Sequence, residues 1–174
     1  MTTTTTTDHR RAVALNEVID ALLAYRRDEV PAFASRHEGW AFILECTDAV
    51  WRAVQFGSPA YARICAVNLA RTTLRFLSDF DDTVIGMGAA SDRPSVAYRI
   101  TTALTAADAE LRDAMDKFGP FASAYEGYAV ILEEVLEMRH EVMHGAPIRA
   151  QEEAVQVAAM ALRFLVDIPA DGGK

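Results

Sequence analysis

The sequence predicts an all-α protein: a helical bundle of two tandem three-helix repeats forming a pseudo-dimer. Three observations carry that prediction. Apolar residues recur at helical spacing in six segments punctuated by glycine and proline. No segment shows the strict alternation or β-branched clustering of a strand pair. Adding 88 to a residue number lays the first half of the chain on the second without a gap.

The elements follow in order. The threonine run at positions 2–7 is low-complexity, and residues 1–8 read as a disordered tail. Asp8 can cap a helix over "HRRAVALNEVIDALLAYRRDEV", which Pro31 stops. Ser35 and Glu38 have capping-box spacing at the head of "SRHEGWAFILECTDAVWRAVQFG", and Gly57 and Pro59 end it. A third helix covers "AYARICAVNLARTTLRFLSDF", which completes a first repeat over 9–80. Residues 81–95, around "DDTVIGMGAASDRPS", hold turn formers without periodicity and read as a linker. The second repeat, 96–168, starts with "SVAYRITTALTAADAELRDAMDKF" and breaks at Gly119-Pro120. It continues through "SAYEGYAVILEEVLEMRHEVMHG" and "IRAQEEAVQVAAMALRFLVDI", leaving a tail at 169–174.

Composition narrows the function classes. A chain of 174 residues that is 51% hydrophobic buries a core of ordinary domain size. Its 25 acidic and 17 basic residues give a net charge of −8, with no basic stretch dense enough to follow a phosphate backbone, so nucleic acid is not an expected partner. The two cysteines, Cys46 and Cys65, lack metal-finger spacing, and no run approaches a membrane span. The start "MTTTTTTDHRR" lacks the apolar core of a signal peptide, and the expected setting is cytoplasmic, with no membrane partner.

The duplication doubles as an internal control. Across positions 33–54, ten of twenty-two residues are identical to their counterparts 88 further on. Residues common to both repeats, such as Ser35/Ser123, Glu38/Glu126 and Ile43/Ile131, are expected to serve the fold. Chemical residues found in one repeat alone are candidates for function. Glu134, Glu137 and Glu141 replace Cys46, Ala49 and Ala53, and Glu153 replaces Cys65. At i, i+3 and i+7, the first three make one stripe along a helix, with Glu133 a step around. Like charges so placed repel unless a hard divalent cation such as Mg²⁺, or Mn²⁺, neutralises them. Glu153, after a short Gly-Pro turn, can face the stripe across an antiparallel hairpin. A solvated acidic face is the bland alternative.

"KFGPFASAYEGYAVILEEVLEM" with "EEAVQVAAMALRFLVDI" resembles the MazG-like family of all-α nucleotide pyrophosphohydrolases over most of residues 104–168. Members carry an ExxE pair on one helix and an ExxD pair on the next, which hold Mg²⁺ against a nucleoside triphosphate. Glu134 and Glu137 match the first pair. Glu153 matches the start of the second, while Gln156 stands where the family has Asp. The resemblance implies hydrolysis of a nucleoside triphosphate to monophosphate and pyrophosphate, with Glu134, Glu137, Glu153 and Gln156 at the metal. It also implies Glu133 or Glu141 as base or further ligand, and Lys117, Arg139 or Arg163 on the phosphates. Arg75 repeats Arg163 in the first half, where a structural role explains both. The first repeat has Cys46, Ala49, Cys65 and Asn68 at the four motif positions and resembles a degenerate partner. If the halves fold alike, Cys46 and Cys65 are neighbours, and a homodimer of such pseudo-dimers is a further expectation.

"RHEVMHG" at 139–145 also contains the HExxH pattern of helical zinc proteases, His140 to His144, but no histidine follows to complete a site. Arg139 and His144 resemble the arginine, four residues, histidine signature of HEPN-type ribonucleases. The simplest account of both histidines is that cationic side chains suit the last turn of a helix. A non-catalytic nucleotide-sensing or protein-interaction module is the remaining alternative.

Overall fold

The structure is a computed structural model that describes residues 2–24, 31–80 and 94–171. Among them are six helices and no strand: α1 (Thr2–Ala24), α2 (Arg36–Gln55), α3 (Pro59–Asp79), α4 (Val96–Lys117), α5 (Ala124–His144) and α6 (Pro147–Asp167). The all-α prediction holds, and α2 to α6 start and stop within two residues of the expected bounds. At the N-terminus the outcome differs from the expected tail, because α1 already begins at Thr2 and runs through the threonines. The expected linker lies outside the described residues except for Pro94 and Ser95, and the end of the first helix at 25–30 also lies outside them.

Local chemistry sets the helix ends. The Glu38 amide donates to Ser35 Oγ at 3.1 Å and the Ala34 amide to Glu38 Oε2 at 2.5 Å, a capping box in which the glutamate takes the amide one residue before the cap. Ser123 and Glu126 repeat it at 3.2 and 2.5 Å. Gly57 takes φ +66° in the turn after α2, a left-handed conformation that glycine adopts without strain. Pro59 and Pro147 occupy the first helical positions of α3 and α6, where a missing amide hydrogen costs nothing.

α2 packs on α3 and α5 on α6 as two antiparallel hairpins, and α3 and α6 pack on each other at the centre. α1 and α4 each lie against both central helices. The central pair is buried nearly all round: Leu69, Leu74, Phe76, Leu162 and Phe164 are fully shielded from solvent. Two glycines permit the closest approach. A Cβ on Gly39 would sit 2.6 Å from Phe76 Cδ2, and one on Gly127 would sit 2.8 Å from Phe164 Cδ2.

Arginine–aspartate locks close each hairpin onto the segment that precedes it. Arg163 Nε lies 3.4 Å from the buried Asp167, which also accepts the Phe121 amide at 3.1 Å. Its Nη2 donates to the carbonyls of Phe118 (3.3 Å) and Gly119, and its guanidinium lies 4.5 Å from the Phe121 ring. Arg75, Asp79 and Phe33 make the same arrangement 88 residues earlier, with the Arg75 guanidinium 3.8 Å from the Phe33 ring.

Candidate acidic metal centre

α5 buries Ile131, Val135 and Met138 against the core, which leaves Glu134 and Glu137 flanking that seam on the side facing α6 and α4. The turn at Gly145 to Pro147 returns the chain so that Glu153 meets them. One ligand oxygen from each of Glu134, Glu137 and Glu153 lies within 4.8 Å of the other two. The expected convergence of α5 and α6 carboxylates across the hairpin is therefore present.

The electrostatics follow from crowding. Burial, then the charges of Glu137, Glu153, Glu133 and Glu110, push the Glu134 carboxyl from the ordinary 4.5 up to about 7. Burial and the carboxylates of Glu137, Glu141 and Glu152 also push Glu153 up, against the opposing pull of Arg149. Glu134 Oε2 is buried and accepts no hydrogen bond. A buried carboxylate oxygen left without a donor is costly, and a divalent cation is the partner that three converging carboxylates suit. Octahedral Mg²⁺ holds neighbouring oxygens about 3 Å apart and opposite ones about 4 Å apart, so small side-chain rotations bring this triad to bonding distance.

The remaining expected residues divide. Gln156 reaches the cluster through Glu153, its Nε2 donating to Glu153 Oε2 at 3.4 Å. Glu133, Glu134, Glu137, Gln156, Lys117 and Arg163 all line a cavity of about 420 Å³ between α4, α5 and α6, a size suited to a small-molecule ligand. Lys117 lies at its exposed mouth, bonded to Asp113 at 2.6 Å. Arg163 borders the cavity with its guanidinium engaged by Asp167 and the two carbonyls, the structural role that Arg75 shares. Glu141 is near Glu153, but its carboxylate folds back over Gly145, where a Cβ would fall 1.7 Å from Oε2. Arg139 is outside the cavity, its guanidinium 5.8 Å from the Trp40 ring on α2.

Three nearby residues escaped the sequence reading. Glu110 and Asp113 line the cavity from α4, and Arg149 bears on Glu153 from the first turn of α6. A signal for all three existed, since Glu110 stands opposite Leu22 in the repeat, Asp113 opposite Tyr25 and Arg149 opposite Tyr61, the same change of chemistry that marked Glu134.

The HExxH pair is not a metal centre of this kind. The His140 and His144 rings lie 5.4 Å apart on exposed turns of α5, and among the described residues the three-ligand grouping is Glu134, Glu137 and Glu153. In the first half, burial first and then the charge of Cys46 push the Cys65 thiol up, against a hydrogen bond from Tyr61. Both cysteines are free. No family model matches the chain, and no curated protein or solved structure matches it either. No helix among the described residues is long and apolar enough to cross a membrane.

Proposed function

We propose that the chain is a Mg²⁺-dependent nucleoside triphosphate pyrophosphohydrolase of the MazG-like kind, with Mn²⁺ as an alternative metal. The observation that carries this reading is the triad of Glu134, Glu137 and Glu153, with its unpartnered buried oxygen, at the edge of the α4–α6 cavity. Bound metal would polarise the triphosphate and supply an activated water for in-line attack. Glu134, Glu137 and Glu153 hold the cation, and Gln156 steadies Glu153. Glu133, which lines the cavity, is better placed than Glu141 to take a proton from the attacking water. Lys117 at the mouth meets the phosphates by leaving Asp113.

The tandem pseudo-dimer belongs to the same proposal. It is supported by contacts between the halves that come in exchanged pairs. Trp51 stacks on Tyr128 with centroids 4.7 Å apart, and the residues 88 away from each, Arg139 and Trp40, also meet. Arg63 donates to the Ile168 carbonyl at 2.8 Å, and its counterpart Gln151 donates to the carbonyl of Phe80, the counterpart of Ile168. Residue i on j together with j on i is what a two-fold relation requires.

One observation favours a non-catalytic nucleotide sensor as second reading: an uncharged Gln156 beside Glu153 weakens the field that a second metal needs. Pyrophosphate release measured across nucleoside triphosphates with Mg²⁺ or Mn²⁺ separates the two. Turnover lost in Glu134→Gln is the expected result. Mg²⁺-dependent nucleotide binding without turnover would establish the sensor, and absence of both would overturn the nucleotide reading. RNA cleavage abolished by His144→Ala would point to the ribonuclease instead.

A further inference from the structure

His140 and His144 stand one helical turn apart at the end of α5, both exposed, with ring centres 5.4 Å apart and ring planes inclined by 36°. The offset of 88 places Arg52 and Phe56 opposite them, so the pair belongs to the second half alone. Histidines at a helix end often donate to its last carbonyls. Among the described residues neither ring does so, and the Glu141 carbonyl takes the Gly145 amide at 2.9 Å instead. Two imidazoles facing each other with no role in the cap call for another partner.

We propose that His140 and His144 chelate one borderline divalent transition metal, Cu²⁺ ahead of Ni²⁺ and Zn²⁺, at a site separate from the carboxylate triad. An imidazole nitrogen lies about 2 Å from such a metal, which puts each ring centre about 3 Å from it and two centres about 4–5 Å apart at a right or tetrahedral angle. Small side-chain rotations therefore close the observed 5.4 Å onto a shared ion. A zinc protease needs a third protein ligand, whereas here the protein supplies two and water completes the shell. Imidazole suits the borderline transition metals, of which Cu²⁺ binds most tightly, and carboxylates suit Mg²⁺, so the two sites sort cations by ligand chemistry. Glu137 and Glu141 each precede one of the histidines by three residues, and their charge draws cations to this face. Arg139, next to His140 in sequence, carries its guanidinium 5.8 Å from the Trp40 ring.

The test is titration of the full chain with Cu²⁺ in excess Mg²⁺, read by electron paramagnetic resonance, where nitrogen ligands split the copper signal and oxygen ligands do not. One tight site with two nitrogen ligands is expected. Joining two imidazoles on one helix makes the second bond intramolecular, so His140→Asn and His144→Asn are each expected to weaken Cu²⁺ binding by about a hundredfold. Copper bound independently at the separate histidines of the chain would leave either variant close to the parent affinity. The combined substitution His9→Asn and His37→Asn removes the remaining histidines and is expected to leave the site unchanged. Both target side chains are exposed, so the substitutions spare the core, and an unaltered helical circular dichroism spectrum checks this. Copper held through oxygen alone, parent affinity in His140→Asn or His144→Asn, or loss of the site with His9 and His37 would overturn the proposal.

Discussion

Gly127 shows how far a single atom matters here. Alanine is the better helix former by roughly 1 kcal/mol, yet the added methyl would meet Phe164 at 2.8 Å and Phe121 at 3.0 Å, both ring atoms held in the core. Overpacking of that kind costs about 1–3 kcal/mol, so Gly127→Ala is expected to lower the melting temperature by several degrees, and Gly39→Ala likewise. Glu134 gives a second prediction at this scale. An ordinary carboxyl releases its proton near 4.5, and Glu134 in the folded chain keeps it to about 7. Between those values the folded state binds more protons than the unfolded one, so stability is full below about 4.5 and falls as pH rises to about 7. Glu153 shifts in the same direction. In chelator-treated protein the loss is expected to be on the order of 1 kcal/mol, allowing for solvent screening of a half-exposed group. Chemical denaturation across this pH range reads the slope. Glu134→Gln flattens it, and Mg²⁺ restores stability at pH 7.5 if the cation neutralises the cluster.

At the scale of elements, the helix boundaries were legible because each is written in short-range chemistry: serine caps answered three residues later by glutamate, and proline at the first position of α3 and α6. The threonine run was misleading for the same reason, since β-branched residues are poor helix formers and α1 forms there despite them. The arginine–aspartate locks were only half legible. Repetition of Arg75 at Arg163, each with aspartate at i+4, is readable from spacing, but the backbone groups of the segment before each hairpin that complete the lock are not. Asp167→Asn tests the lock. Both side chains are about 5% exposed, and removing one charge of a buried pair costs roughly 3–5 kcal/mol. A loss of that size in urea unfolding is expected, and a loss well under 1 kcal/mol would show that the carbonyls hold Arg163 alone.

Across the whole molecule, the offset of 88 carried the sequence reading furthest, because differences between repeats located three of the carboxylates that converge. Arg139, expected at the phosphates from the resemblance, lies instead beside Trp40, and the place of Glu110 at the cavity depends on how α4 packs. The contacts between halves also set unequal loads. Arg63 holds the Ile168 carbonyl, the Leu165 carbonyl and Glu17, whereas Gln151 holds the Phe80 carbonyl. Arg63→Ala is accordingly expected to destabilise by about 2–3 kcal/mol and Gln151→Ala by about 1 kcal/mol, measured by urea unfolding. That inequality gives the exchanged contacts a historical meaning. Two copies of the second half would set Arg139 against Tyr128 at both places and leave the carbonyls of Ile168 to Gln151 alone. Two copies of the first would bring Trp51 against Trp40 and forfeit Glu134, Glu137 and Glu153. On the proposed pseudo-dimer, each half has drifted to fit the other, and the pair no longer has a way back to two equals.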